Sequence, residues 1–160
     1  MIGHVQTNKV KYMAPYVSLI HGVDSLKLLQ EINKQAAKNN RVIDCLLQVY
    51  IAEEESKFGL DEQELEEILN KILDSARNDN NEFKNIRVIG LMGMATFTEN
   101  QNQIEKEFKH LKTIFDKYKT LNTQHCQLNT LSMGMSGDYQ LAISCGSTMV
   151  RIGSSIFGSR

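Results

Sequence analysis

Two stretches near the end of the chain hold the residue types that could do chemistry. Leu131-Ser132-Met133-Gly134-Met135-Ser136-Gly137-Asp138 sets glycines and serines where an apolar run gives way to a helical pattern. At such a strand-to-helix turn the backbone N–H groups point outward and the helix dipole favours an anion, so the turn is a candidate phosphate seat. Ser136 can serve there as a phosphate ligand. It can equally cap an ordinary βα turn, with Asp138 in the first helical turn. The second stretch is Gly146-Ser147-Thr148-Met149-Val150-Arg151-Ile152-Gly153-Ser154-Ser155. Arg151 lies among apolar neighbours of a predicted strand, where a guanidinium without an acceptor is costly, so it requires a core carboxylate or a ligand. Gly153-Ser154-Ser155, just beyond, can form another backbone anion nest.

Other reactive types are scattered. His4, His21, His110 and His125 show no metal-ligand spacing, and no metal site is expected. His125 and Cys126 are adjacent, which is not by itself a nucleophile–base geometry. Cys45, Cys126 and Cys145 read as reduced, buried side chains. Met92, Met94, Met133 and Met135 flank strand ends and read as core or pocket wall.

The elements that position these residues alternate. Apolar runs at Ile2–Gln6, Val17–His21, Arg41–Ile51, Ile86–Met92, Leu128–Ser132 and Thr148–Ile152 predict strands. Between them fall helical patterns: a short one near Asn8–Pro15, and one capped by Asp24-Ser25 and ending at Asn39-Asn40. A third opens on an Asp61/Glu64 capping box, a fourth carries Ile104, Phe108, Leu111, Phe115 and Tyr118, and a fifth follows Asp138 and ends near Gly146. Strands alternating with helices imply parallel βαβ units. No G-x-G-x-x-G follows the first strand, so the doubly wound dinucleotide-binding fold lacks its specific mark. A barrel typically needs eight units and roughly 250 residues; six units in 160 residues fit a barrel with a piece missing. In barrels the loops after the last two strands commonly bind phosphate, which makes the two Gly/Ser turns stronger together than apart.

The composition limits partners. Lys+Arg 18 against Asp+Glu 19 gives a net charge of -1, without the basic excess of a nucleic-acid or anionic-membrane binder. No apolar run approaches the ~20 residues that span a bilayer, and the N-terminus lacks a signal-peptide pattern. A single cytoplasmic domain over 1–160 is expected.

The two chemistry-bearing stretches together resemble the C-terminal signature of the pyridoxal 5′-phosphate (PLP) homeostasis family of the YggS/PROSC type. The likeness runs almost unbroken from Leu131 to Arg160. Ile2-Gly3-His4-Val5-Gln6-Thr7-Asn8-Lys9, His21-Gly22-Val23-Asp24-Ser25, Lys57-Phe58-Gly59 and Gly90-Leu91-Met92 agree with further family elements. The resemblance implies a (β/α)8 TIM-type barrel related to the alanine racemase N-terminal domain, with PLP at the C-terminal mouth. It implies Arg151 facing the pyridine nitrogen, which weakens the cofactor as an electron sink. It also implies Ser136 with the Gly153 and Ser154 amides around the phosphate, and Met135 beside them. The function implied is non-catalytic PLP binding in vitamin B6 homeostasis, with no catalytic residue; the alternative is a fragment of a PLP-dependent racemase-like enzyme.

The family's Schiff-base lysine lies before the Ile-Gly-x-x-Gln element, which here starts at Ile2. The chain is therefore expected to hold barrel strands three to eight, without the first two βα units or that lysine. Two exposed strand edges would then invite self-association. Lys57 is a candidate substitute lysine, against the alternative of a solvated loop residue beside Glu53, Glu54 and Glu55.

Overall fold

The computed structural model describes residues 1–53, 58–78 and 82–158. Its helices form where apolar spacing and caps coincide. Helix α2, Leu26–Lys38, starts where the Ser25 hydroxyl accepts from Leu28 N, and buries Leu28, Leu29, Ile32 and Ala36. It stops at Asn39, after which Asn40 takes a left-handed φ of 52°, a conformation asparagine tolerates. Helix α3, Glu62–Arg77, opens on the reciprocal capping box of Asp61 and Glu64. Helix α4, Gln101–Tyr118, is capped by Asn100. Two short helices, α1 (Val10–Met13) and α5 (Tyr139–Ser144), and a final turn, α6 (Ser154–Phe157), complete the set. No helix among the described residues is long and apolar enough to cross a membrane.

The sheet has six strands: β1 Leu19–Val23, β2 Ile43–Gln48, β3 Ile86–Met92, β4 Asn122–Thr123, β5 Cys126–Met135 and β6 Met149–Arg151. Strands β1, β2, β3, β5 and β6 lie side by side in chain order, each parallel to the next. The order never reverses, so there is no switch point of the kind that defines a doubly wound sheet. This is barrel winding. Within the described residues β1 and β6 are not paired with each other.

One side of the sheet packs on the helices in a continuous core of Ile43, Cys45 and Leu47 from β2, Val88 and Leu91 from β3, and Leu131 and Met133 from β5. Leu46, Met92 and Ser132 are also buried but stand outside that core, on the opposite, inner face. Strands β3 and β5 approach closely at Gly90, where a Cβ would lie 1.8 Å from the Thr130 carbonyl oxygen.

Two features correct the sequence reading. Ile2–Gln6 is not a strand: only Met1 pairs with β1, its ammonium donating to the Leu19 carbonyl and its own carbonyl accepting from His21 N at 3.0 Å. The backbone then turns at Gly3, φ 101°, toward a 3-10 turn at Thr7–Lys9. Strand β5 is longer than Leu128–Ser132, because its first residues pair antiparallel with β4, a hairpin too short to leave a periodic signal. Lys57, Glu54, Glu55 and the end of the Asn78–Asn81 loop lie outside the described residues.

Candidate functional site

The carboxyl ends of β3, β5 and β6 converge on Arg151. Its side chain is buried, and Nη1 donates to both the carbonyl and the hydroxyl of Ser132 at 2.9 Å, while Nη2 donates to the Gly93 carbonyl at 3.0 Å. These are dipoles, so of the two expected acceptors, a core carboxylate or a ligand, the carboxylate makes no hydrogen bond to the guanidinium among the described residues. Asp138 contributes only a field; burial lowers the Arg151 pKa to about 10, and that carboxylate partly offsets the drop. The side chain stays charged at neutral pH. Three hydrogen bonds among the described residues leave at least two of the five guanidinium N–H groups for a ligand.

The turn after β5 is tied into one conformation. Met135 N donates to Asp138 Oδ1 at 2.6 Å and Asp138 N donates back to the Met135 carbonyl at 3.1 Å. Gly134 is required just before it: its φ is 96° and a Cβ would lie 2.5 Å from that of Ala142. Ser136 does not cap α5. Its Oγ accepts instead from the backbone N–H groups of Gly153 and Ser155, at 3.1 and 3.3 Å. Two amides from the loop after β6 thus converge on a hydroxyl from the loop after β5, at the surface. Ser154 is exposed beside them, and the second amide on Ser136 Oγ belongs to Ser155, the last residue of the expected Gly153-Ser154-Ser155 nest.

The structure therefore brings Ser136, Gly153 and Ser155 together and sets Arg151 two residues before Gly153 in chain order, with Met135 as the Cα partner of Arg151 in the sheet. A cleft of about 480 Å³ lies on the helix side of this turn, lined by Gln101, Ile104, Ser136, Asp138, Tyr139 and Ser144 among others. Sequence reasoning missed Ser132 and Gly93 as partners of Arg151. Ser132 was visible as a polar residue in an apolar strand; a backbone carbonyl leaves no mark in sequence.

Two further polar groups sit at the strand ends. Gln48, at the end of β2, is buried and donates from Nε2 to the Phe58 carbonyl at 2.6 Å. Glu107, buried on α4, accepts from Thr96 N and Thr96 Oγ1, each at 2.7 Å, and from Glu53 N at 3.2 Å. That carboxylate fastens the loops after β2 and β3 to α4. The three cysteines are free and buried, and burial pushes the Cys126 thiol up to about 11, away from reactivity.

Barrel winding, with a serine hydroxyl and two backbone amides converging after its last two strands, defines a (β/α) barrel-type domain, and comparison with known proteins places it. The chain belongs to the alanine racemase N-terminal domain family, which it matches over residues 1–160. A pyridoxal phosphate homeostasis protein of Aquifex aeolicus is 40% identical over 159 residues, covering 99% of this chain and 65% of that protein. The chain thus spans just under two thirds of the length of that relative. PipY of Synechococcus elongatus, solved with PLP bound, superposes with a TM-score of 0.83 at 26% identity, over 99% of this chain and 69% of that one. An alanine racemase of Clostridium difficile superposes at 0.69 with 15% identity, over 99% of this chain and 41% of the enzyme, a likeness of fold alone.

Proposed function

We propose that this chain forms the phosphate- and ring-nitrogen-binding part of a PLP-binding barrel that holds the cofactor as cargo in vitamin B6 homeostasis. The observation that carries the reading is the convergence of the Gly153 and Ser155 amides on Ser136 Oγ, with the buried, charged Arg151 behind it. The residues fit the group. The Ser136 hydroxyl stands where the two amide dipoles meet, and a phosphate oxygen accepted there would receive those N–H groups while Ser136 donates to it. Arg151 has N–H groups to spare for the ring nitrogen, and its charge there disfavours a protonated ring. When bound, the cofactor supplies an electrophilic aldehyde and an electron-withdrawing ring.

A non-catalytic role is supported by the relatives: the Aquifex protein is named a pyridoxal phosphate homeostasis protein and PipY was solved with PLP. We assign the chain to the cytoplasm, with a small-molecule ligand rather than nucleic acid or membrane as partner, and with self-association through the edges beside Met1 and β6.

A PLP titration followed by borohydride reduction and intact-mass measurement tests this. Saturable binding without a retained pyridoxyl mass is the expected result. A mass retained on one lysine would replace the noncovalent seat by a covalent one, and absence of binding by the folded chain would overturn the reading.

A further inference from the structure

His21 is the polar residue that the site described so far leaves unexplained. It is 6% exposed, and its Nδ1 is one of two buried side-chain polar atoms without a hydrogen-bond partner among the described residues. The other, Asn85 Oδ1, belongs to an amide already anchored through its Nδ2 to the Arg41 carbonyl. The His21 ring makes no hydrogen bond to any described residue, while its backbone N–H donates to the Met1 carbonyl. Buried polar atoms are nearly always paired, and an orphan costs roughly 1–3 kcal/mol, so one that persists calls for a partner beyond the described residues.

Its position says where that partner sits. Ile20 belongs to the helix-facing core, and the alternation of a strand puts the next residue, His21, on the inner face. The register on β2 shifts between Ile20 and Val23, a bulge of the kind that re-aims a side chain near a functional mouth. Leu46, between the register partners Cys45 and Leu47, is likewise buried outside the helix-facing core. Gln48, Met92 and Ser132 share the next row toward the strand ends, and Ser132 holds Arg151. Burial, then the N-terminal ammonium, then Arg151 hold the imidazole neutral, with a pKa lowered to about 4. A neutral ring offers one donor and one acceptor nitrogen. It lies within the field of a guanidinium that has N–H groups unused.

We infer that His21 is a ligand-contact residue of this same mouth, hydrogen-bonding a polar ring substituent of a pyridine phosphate from the far end of the sheet. This rests on the PLP reading above and adds an anchor on β1. Arg151 takes one edge of the ring, the Ser136 nest takes the phosphate, and His21 fixes the ring's rotation between them.

The test uses the full chain and 4′-deoxypyridoxine 5′-phosphate, which keeps the ring, hydroxyl and phosphate but has no aldehyde, alongside inorganic phosphate. His21→Leu is expected to weaken the pyridine phosphate about tenfold, the worth of one buried hydrogen bond, and to leave phosphate affinity within about twofold. His21→Gln should recover part of the loss. In the wild type, the His21 Cε1–H resonance should shift with the pyridine phosphate and stay in place with phosphate alone, a readout that holds even where a variant folds poorly. An unmoved resonance at saturation, or a folded His21→Leu that binds like the wild type, overturns the role of His21 and leaves the PLP reading standing. A wild-type chain that binds no pyridine phosphate overturns both.

Discussion

Arg151 donates from Nη1 to the carbonyl and the hydroxyl of Ser132, each at 2.9 Å, and these contacts stand where a buried arginine would ordinarily meet a carboxylate. A buried cation held only by dipoles is a poor source of stability, since its desolvation is not repaid by a counter-ion. Arg151→Met should therefore leave the unfolding free energy within about 2 kcal/mol of the wild type. The same change should reduce PLP affinity by roughly two orders of magnitude, as a charged hydrogen bond of about 1.5–3 kcal/mol is lost. Ser132→Ala should give a smaller loss of affinity, about fivefold, by loosening the guanidinium. Equilibrium titration and denaturation of the same samples separate the two effects.

Ser136 is different, because it lies at the surface and its hydroxyl can be replaced by water. Ser136→Ala should alter stability by less than about 0.5 kcal/mol, as exposed substitutions do. It should weaken PLP about tenfold, and pyridoxal without its phosphate should bind wild type and variant alike. A variant that loses pyridoxal and PLP equally would place Ser136 away from the phosphate.

Glu107 acts on the frame of the mouth. Its carboxylate satisfies two backbone N–H groups and a hydroxyl from two different loops, and no cation beside it is needed. Glu107→Ala strands the Thr96 N–H and hydroxyl, Glu53 N keeping Thr96 Oγ1 as acceptor, and should cost about 2–4 kcal/mol by chemical denaturation. Glu107→Gln, which keeps one acceptor oxygen, should cost about half as much.

The histidine on β1 makes stability depend on pH. Burial, the N-terminal ammonium and Arg151 lower the His21 pKa to about 4 from 6.5. The native state therefore binds fewer protons than the unfolded chain between those values. Stability from this group is fully present above pH 6.5 and is lost as the pH falls toward 4, by about 1 kcal/mol per unit. Urea midpoints at pH 7, 6 and 5 should fall accordingly, and His21→Leu should flatten that part of the profile. An unchanged slope in the variant would assign the acid sensitivity elsewhere.

Much of the fold was written in local pattern. The Asp61/Glu64 capping box, the Ser25 cap and the apolar face of α2 are short-range features, governed by residues three and four apart, and the sequence alone determined them. The Gly/Ser turns after the last two strands were legible for the same reason, since glycine at a positive φ and serine near an amide are local necessities. Barrel winding, rather than a doubly wound sheet, emerged from the spacing and from family likeness. The strand order β1-β2-β3-β5-β6 decided it.

What depended on tertiary structure is what joins residues far apart in the chain. The bond from Ser155 N to Ser136 Oγ joins two loops 19 residues apart, which no local pattern announces. The partners of Arg151 proved to be Ser132 and the Gly93 carbonyl, separated from it by 19 and 58 residues. Ile2–Gln6 kept an apolar pattern without becoming a strand, because a β-strand exists only through its neighbours and here Met1 alone pairs with β1. His21 read as an ordinary strand residue in sequence. Its nitrogen stands unpaired among the described residues only once the fold has buried the ring, which no local pattern foretells.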